Sequence, residues 1–167
     1  LKKLRKVSKK YKNSILLGEI DNKDLQIRYT EGDDMLHLAY SFELLRKEFS
    51  CDSIRNSIDY FYSSTKDGWP CWSFSNHDVK RHISRWSEDK SNLSDLAKIS
   101  CALLLSLRGT VCIYQGEELG QTETTLKFEE LIDPPGIEFW PEEAGRDGCR
   151  TPMVWNSKKL NGGFSEV

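Results

Sequence analysis

The chain has 167 residues, 38% hydrophobic and 30% charged, a balance that fits a soluble globular protein of single-domain length. Its 24 basic and 26 acidic residues leave a net charge of −2, so no overall basic surface of the nucleic-acid-binding kind is expected. No apolar run approaches the roughly 18 residues of a membrane span.

The chain opens inside a basic helical pattern, "LKKLRKVSKKYK", which ends near residues 11–13. The overall charge favours a solvated helix face there over a nucleic-acid arm. An opening in mid-helix without Met is expected for a piece of a longer chain, and no signal peptide is visible. "SILLGE" (14–19) predicts a short buried strand closed by Gly18 and Glu19, and "LHLAYSF" (36–42) predicts a second. Residues 50–64 place Ile54, Ile58, Phe61 and Tyr62 at helical spacing. "DGWP" predicts a turn, and "CWSFSN" (71–76) a third strand that runs into Asn76, His77 and Asp78.

The segment 91–109 is the clearest helix. Asn92 or Ser94 suits its amino end, Asp95 its positive dipole end, Arg108 its last turn, and Gly109 a left-handed cap. "TVCIYQGEELG" (110–120) predicts a fourth strand ending at Glu117 and Glu118. A long irregular stretch, 121–155, follows; its aromatics argue against disorder and for a lid. The five cysteines are odd in number and contain no C-x-x-C pair, which points to reduced thiols and a cytoplasmic setting, with Cys101 and Cys112 in the core.

Strands alternating with helices imply a parallel sheet. Three strands end in polar groups: Glu19, the Asn76–Asp78 triplet, and Glu117 with Glu118. In α/β barrels the chemistry sits at that end. Glu19 and Asp78 are 59 residues apart, close to two strand–helix units of about 30 residues each, so both carboxylates are candidates for one pocket.

Six segments occur in one order: "NSILLGEIDN", "LHLAYSFELL", "WPCWSFSNHDVKRHISRW", "LLLSLRGTVCIYQGEELG", "DPPGIEFWPEEAGRDGCRTPMVW" and "NGGFS". Together they resemble the second half of the catalytic barrel of α-glucosidases in the α-amylase family, with oligo-1,6-glucosidases and maltose-type α-glucosidases nearest in pattern. The resemblance implies a partial (β/α)8 TIM barrel, strands 5–8 with their helices and the loop after strand 8, over residues 1–167, with the N-terminal half absent. It implies that Glu19, in L-L-G-E, is the general acid/base. It also implies that Asp78, in N-H-D, is the carboxylate that grips sugar hydroxyls and stabilises the transition state. His77 matches a hydroxyl donor; Arg146 matches the arginine that closes the sugar subsite, with Arg150 as second choice and Arg81 as a further candidate for substrate contact. Tyr114 to Gly120 matches the pocket floor. The nucleophilic Asp, in a G-x-R-x-D segment, does not occur here and would lie upstream.

The implied activity is retaining hydrolysis of terminal α-linked glucose in short oligosaccharides or disaccharides, without a cofactor. A structural Ca or Mg ion would belong to the absent half. The alternatives are an α-glucosyl transferase or isomerase of the sucrose isomerase or trehalose-forming type, and a non-catalytic scaffold of the transporter heavy-chain type. The residues also admit plainer roles. Glu19 fits a turn carboxylate, Asp78 an N-cap, Glu117 and Glu118 structural positions, and Trp69 and Trp72 core or rim. Arg81 and Arg85 fit ion pairs around the loop. A metal at His77 and Asp78 is disfavoured, because neither His37 nor His82 has ligand spacing around that pair.

Overall fold

A computed structural model describes residues 1–46, 48–87 and 91–166. They fall into two compact units: Leu1–Phe74 with Leu103–Cys112, and Ser75–Ala102 with Ile113–Val167.

The first unit is built on a four-stranded parallel sheet, β1 (Leu17–Glu19), β2 (Leu38–Tyr40), β3 (Pro70–Trp72) and β4 (Thr110–Val111), in that spatial order. The register pairs Glu19 with Tyr40, Tyr40 with Cys71 and Cys71 with Thr110. Glu19 is therefore the last residue of its strand and is exposed. The sheet matches the alternation expected from sequence, but each strand is shorter than its apolar run. Residues 73–78 are loop, so the Asn76–Asp78 triplet stands beyond the end of β3. Pro70 opens β3, where the N–H it lacks is not missed.

Helix α1 (Lys2–Ser8) is shorter than the basic pattern, and Asn13 turns the chain with φ of 59°, a conformation that asparagine tolerates. Helix α2 (Lys23–Thr30) is not legible in the apolar pattern, since it carries few apolar residues. Its start is nevertheless encoded: the Asn22 side chain accepts the Leu25 N–H at 3.0 Å, and Asp24 sits in the first turn. After the one-turn helix α3 (Glu43–Arg46), helix α4 (Cys51–Ser64) is capped by Ser50 and buries Ile54, Ser57 and Phe61, close to the predicted stripe. Phe61 meets Trp72 edge-on at 5.8 Å, and the Trp72 indole donates to the Arg108 carbonyl at 2.8 Å. Trp72 is core and Trp69 partly exposed.

Gly18 sits at a close approach to the end of the Leu36 side chain. A Cβ there would sit 2.4 Å from Leu36 Cδ1, so glycine lets β1 lie against the chain entering β2.

In the second unit, α5 (His82–Trp86) and the first part of α6 (Leu93–Ser106) pack around a buried polar hub. His82 Nδ1 lies 2.9 Å from Ser75 Oγ and 3.1 Å from Glu117 Oε1, while Nε2 lies 2.9 Å from Ser100 Oγ. Glu117 Oε2 accepts the Tyr114 N–H at 2.9 Å. Glu117 thus holds the loop that precedes its own 3-10 turn, Glu117–Leu119, rather than ending a strand. Helix α6 stops at Ser106, so Arg108 and Gly109 lie past it instead of closing it; Gly109 still takes a positive φ of 135°.

The predicted lid, 121–155, is ordered, with 3-10 turns at Phe128–Glu130 and Asp147–Cys149 and helix α7 (Pro134–Glu138); a further turn, Leu160–Gly163, follows it. All five cysteines are free thiols. The buried pair is Cys71 and Cys149, whereas Cys101 and Cys112, expected in the core, are partly exposed. No helix among the described residues is long and apolar enough to cross a membrane.

Candidate active site

The sequence around Asp78 builds its own presentation. Asn76 Oδ1 accepts the Asp78 N–H at 2.9 Å, a side-chain-closed turn that asparagine forms readily. Asn76 is buried, while the Asp78 side chain is 34% exposed. The turn and the functional reading of this triplet are therefore compatible.

Two arginines from one short segment converge on that carboxylate. Arg146 Nη1 donates to Asp78 Oδ1 at 2.9 Å, and Arg150 Nη2 donates to the same oxygen at 3.1 Å. Arg150 Nε also donates to the His77 carbonyl at 2.8 Å, locking the triplet's backbone. His77 Nε2 stands 3.5 Å from Asp78 Oδ2, and its side chain is largely exposed. The structure thus brings together Asp78, His77, Arg146 and Arg150.

A residue the sequence reading passed over completes the group. Asp133 occupies the N-cap position of α7, yet its carboxylate makes no cap hydrogen bond. It accepts instead from Arg146: the backbone N–H at 2.8 Å and Nε at 2.9 Å on Oδ2, and Nη2 at 2.7 Å on Oδ1. The Arg146 hydrogen bonds hold the Asp133 carboxyl well below the usual range, at about 2, against a desolvation cost that acts in the other direction. Asp133, and Asp78 after it, push the Arg146 guanidinium up. Asp147 Oδ2 accepts the N–H groups of Ile132 and Asp133 at 2.6 and 2.7 Å, fixing the strap that carries Asp133. The sequence held a signal for Asp133, since Asp before Pro at a helix start is a capping pattern. Nothing in it said that the side chain would turn to Arg146.

A cavity of about 290 Å³ adjoins the group, lined by Asp78, Lys80, Glu123, Leu131, Trp140 and Arg146. Trp140 lies tilted against Phe128, with ring centres 6.0 Å apart. Burial pushes the Glu123 carboxyl up, and its Oε2 accepts the Arg81 N–H at 2.9 Å. Burial likewise pushes the Cys149 thiol up to about 11, which keeps it protonated and unreactive at neutral pH.

Arg81 is not among the groups facing this cavity. It is buried, donates to the Gln115 carbonyl at 2.9 Å and lies over the Tyr114 ring at 4.8 Å. Arg81, expected as a candidate for substrate contact or for an ion pair around the loop, has its side chain directed at the 114–115 segment. Arg85 is half-buried, over the Trp86 ring at 5.4 Å, and its Nη1 donates to the Lys80 carbonyl at 3.3 Å. Glu19 belongs to the first unit, at the carboxyl end of β1.

All 167 residues match the family model for the α-amylase catalytic domain. The chain is 46% identical over 172 residues to a probable alpha-glucosidase of Rhizobium meliloti (strain 1021), covering 100% of this chain and 31% of that protein. It is 29% identical over 197 residues to an oligo-1,6-glucosidase of Heyndrickxia coagulans, covering 96% of this chain and 35% of that one. Among solved structures it resembles an alpha-glucosyl transfer enzyme, with a TM-score of 0.91 and 44% identity over 98% of this chain and 31% of that one. The chain therefore spans about a third of the length of these relatives. Its parallel strands are a partial α/β barrel of the kind these relatives share. With its strands, its Asn76–Asp78 triplet and its arginine-bearing lid all inside the matched span, this chain belongs to the α-amylase catalytic-domain family.

Proposed function

We propose that this chain is the carboxyl-terminal half of the catalytic barrel of a retaining α-glucosidase that removes terminal α-linked glucose from short oligosaccharides or disaccharides. The observation that carries the reading is Asp78, presented by an Asx turn and held on one oxygen by Arg146 and Arg150. Such a carboxylate is held in one orientation, which is what gripping sugar hydroxyls requires.

In the proposed mechanism, Glu19 donates its proton to the glycosidic oxygen as the bond from that oxygen to the anomeric carbon breaks. An upstream Asp attacks the anomeric carbon and forms a covalent glucosyl ester, with the two carboxyl groups about 5–5.5 Å apart. Glu19, now a carboxylate, takes a proton from water as the water oxygen displaces the ester, and glucose leaves with its configuration retained. Asp78 binds the sugar more tightly as positive charge develops on the ring, so its contribution is greatest in the transition state. His77 and Arg146 fix the ring from the same side.

A second reading, glucosyl transfer, is supported by the likeness to an alpha-glucosyl transfer enzyme. It shares every step up to the ester and differs only in whether water or a sugar hydroxyl resolves it. The test is to assay the full-length protein on p-nitrophenyl α-glucoside, alone and with maltose as acceptor. Equal release of nitrophenol and glucose from the aryl glucoside alone supports hydrolysis, and nitrophenol in excess of glucose supports transfer. Release of neither would refute the enzyme reading in favour of a scaffold.

A further inference from the structure

We infer that Asp133 is a positioning residue for Asp78, acting through Arg146; the inference rests on the α-glucosidase reading above. The argument is one of valence. A guanidinium offers its donors as a fork, and left alone with one carboxylate it takes both oxygens. Here the edge of the Arg146 fork formed by Nε and Nη2 is committed to Asp133 at 2.9 and 2.7 Å. Only Nη1 reaches Asp78, and only at Oδ1. Asp133 therefore prevents a two-oxygen Arg146–Asp78 pair and keeps Oδ2 of Asp78 outside the guanidinium fork, on the side where a sugar hydroxyl would be held.

Three observations separate this from ordinary packing. Asp133 is buried and stands at a helix start, but does not cap it. Its own backbone is clamped by Asp147 from the segment that bears Arg146 and Arg150, so both ends of the contact are fixed by one short stretch. Arg150 Nη1 also stands 3.7 Å from Asp133 Oδ1. Two carboxylates thus share two guanidiniums, and removing one leaves both cations directed at Asp78.

The test is a cycle in the full-length protein. Asp133→Asn should lower kcat/KM by about 10–100-fold, the scale of an ångström-sized misplacement, mostly in kcat and equally for activated and unactivated glucosides. In an Arg146→Met background the same substitution should cost less than about threefold, because the intermediary is gone. Equal losses in both backgrounds, with an active wild type, would mean that Asp133 acts as packing alone. Crystal structures of wild type and Asp133→Asn give a readout independent of activity: Arg146 should swing to contact both oxygens of Asp78. An unmoved guanidinium overturns the inference. An inactive wild type would sink the α-glucosidase reading and leave the structures to decide this one. Where Asp133→Asn fails to fold, Asp133→Glu, which keeps the charge but displaces it by a methylene, is read by the same two measurements.

Discussion

Asp78→Asn should abolish most activity while leaving the fold almost untouched, and the geometry says why the two effects separate. The fold does not depend on Asp78 to hold Arg146, which makes three hydrogen bonds to Asp133 and one to Asp78. Arg150 keeps its bond to the His77 carbonyl, and the substituted residue still offers the backbone N–H that closes the turn on Asn76. The lost ion pairs are partly solvated and of the kind that contributes little to stability, so Tm should move by no more than about 2–4 °C. Catalysis has no such redundancy. A carboxylate that grips two sugar hydroxyls makes two charge-assisted hydrogen bonds of about 1.5–3 kcal/mol each. Losing their charge in the transition state corresponds to about 10²–10⁴ in kcat. The assay is steady-state hydrolysis of p-nitrophenyl α-glucoside by the full-length protein, alongside thermal unfolding. A loss under tenfold, or a loss matched by a collapse in Tm, would refute the assignment of Asp78 as a transition-state contact.

Glu19→Gln should slow glucosides with poor leaving groups far more than activated aryl glucosides, because only the former need a proton on the departing oxygen; equal losses on both would count against the acid role. His82→Leu should destabilise by about 1–3 kcal/mol, since it removes the buried imidazole bonded to the Ser75 and Ser100 hydroxyls. Chemical denaturation reads the loss, and an unchanged midpoint would remove His82 from the account of this interior. Acid stability follows from Asp133. Its folded pKa of about 2 lies below the unfolded value of about 4, so its contribution is fully present above about pH 4 and is lost as pH falls through 2. Asp133→Asn should therefore flatten the unfolding free energy between pH 4 and 2, and an unchanged acid limb in that window would remove Asp133 from the account.

Much of this was legible in the chain because it depends on neighbours in sequence. The Ile54–Phe61 spacing marks α4, the Asn76–Asp78 turn closes across two residues, and the runs at 14–19, 36–42 and 110–120 each contain a strand, while the run at 71–76 overlaps β3, which opens at Pro70 in the expected turn. Strand lengths were overestimated at edge and interior positions alike. An apolar run does not count hydrogen-bonding steps: β2 and β3, paired on both sides, are three residues like β1, and β1, expected to be buried, has Leu17 and Glu19 exposed. Helix α2 was missed because its signal is a cap rather than a stripe, with Asn22 and Asp24 at its start and little apolar face. The lid's structure was undervalued because its order comes from ion pairs and carboxylate–amide bonds, which leave no periodicity.

Residue types and their order thus determined the family and the parallel sheet, and they singled out Asp78 as a candidate. Tertiary structure alone decided who holds that carboxylate. Arg146 is 68 residues from Asp78 in sequence, and the choice between Asp78 and Asp133 as its partner is made by the path of the lid. The interior position of Arg81 was decided in the same way, since an arginine beside the Asn76–Asp78 triplet reads identically whether it turns out to solvent or in to the Gln115 carbonyl. Local pattern specifies which groups a segment offers; which of them meet is set by packing between segments far apart in the chain, where desolvation makes a partnered charge tolerable and an unpartnered one costly.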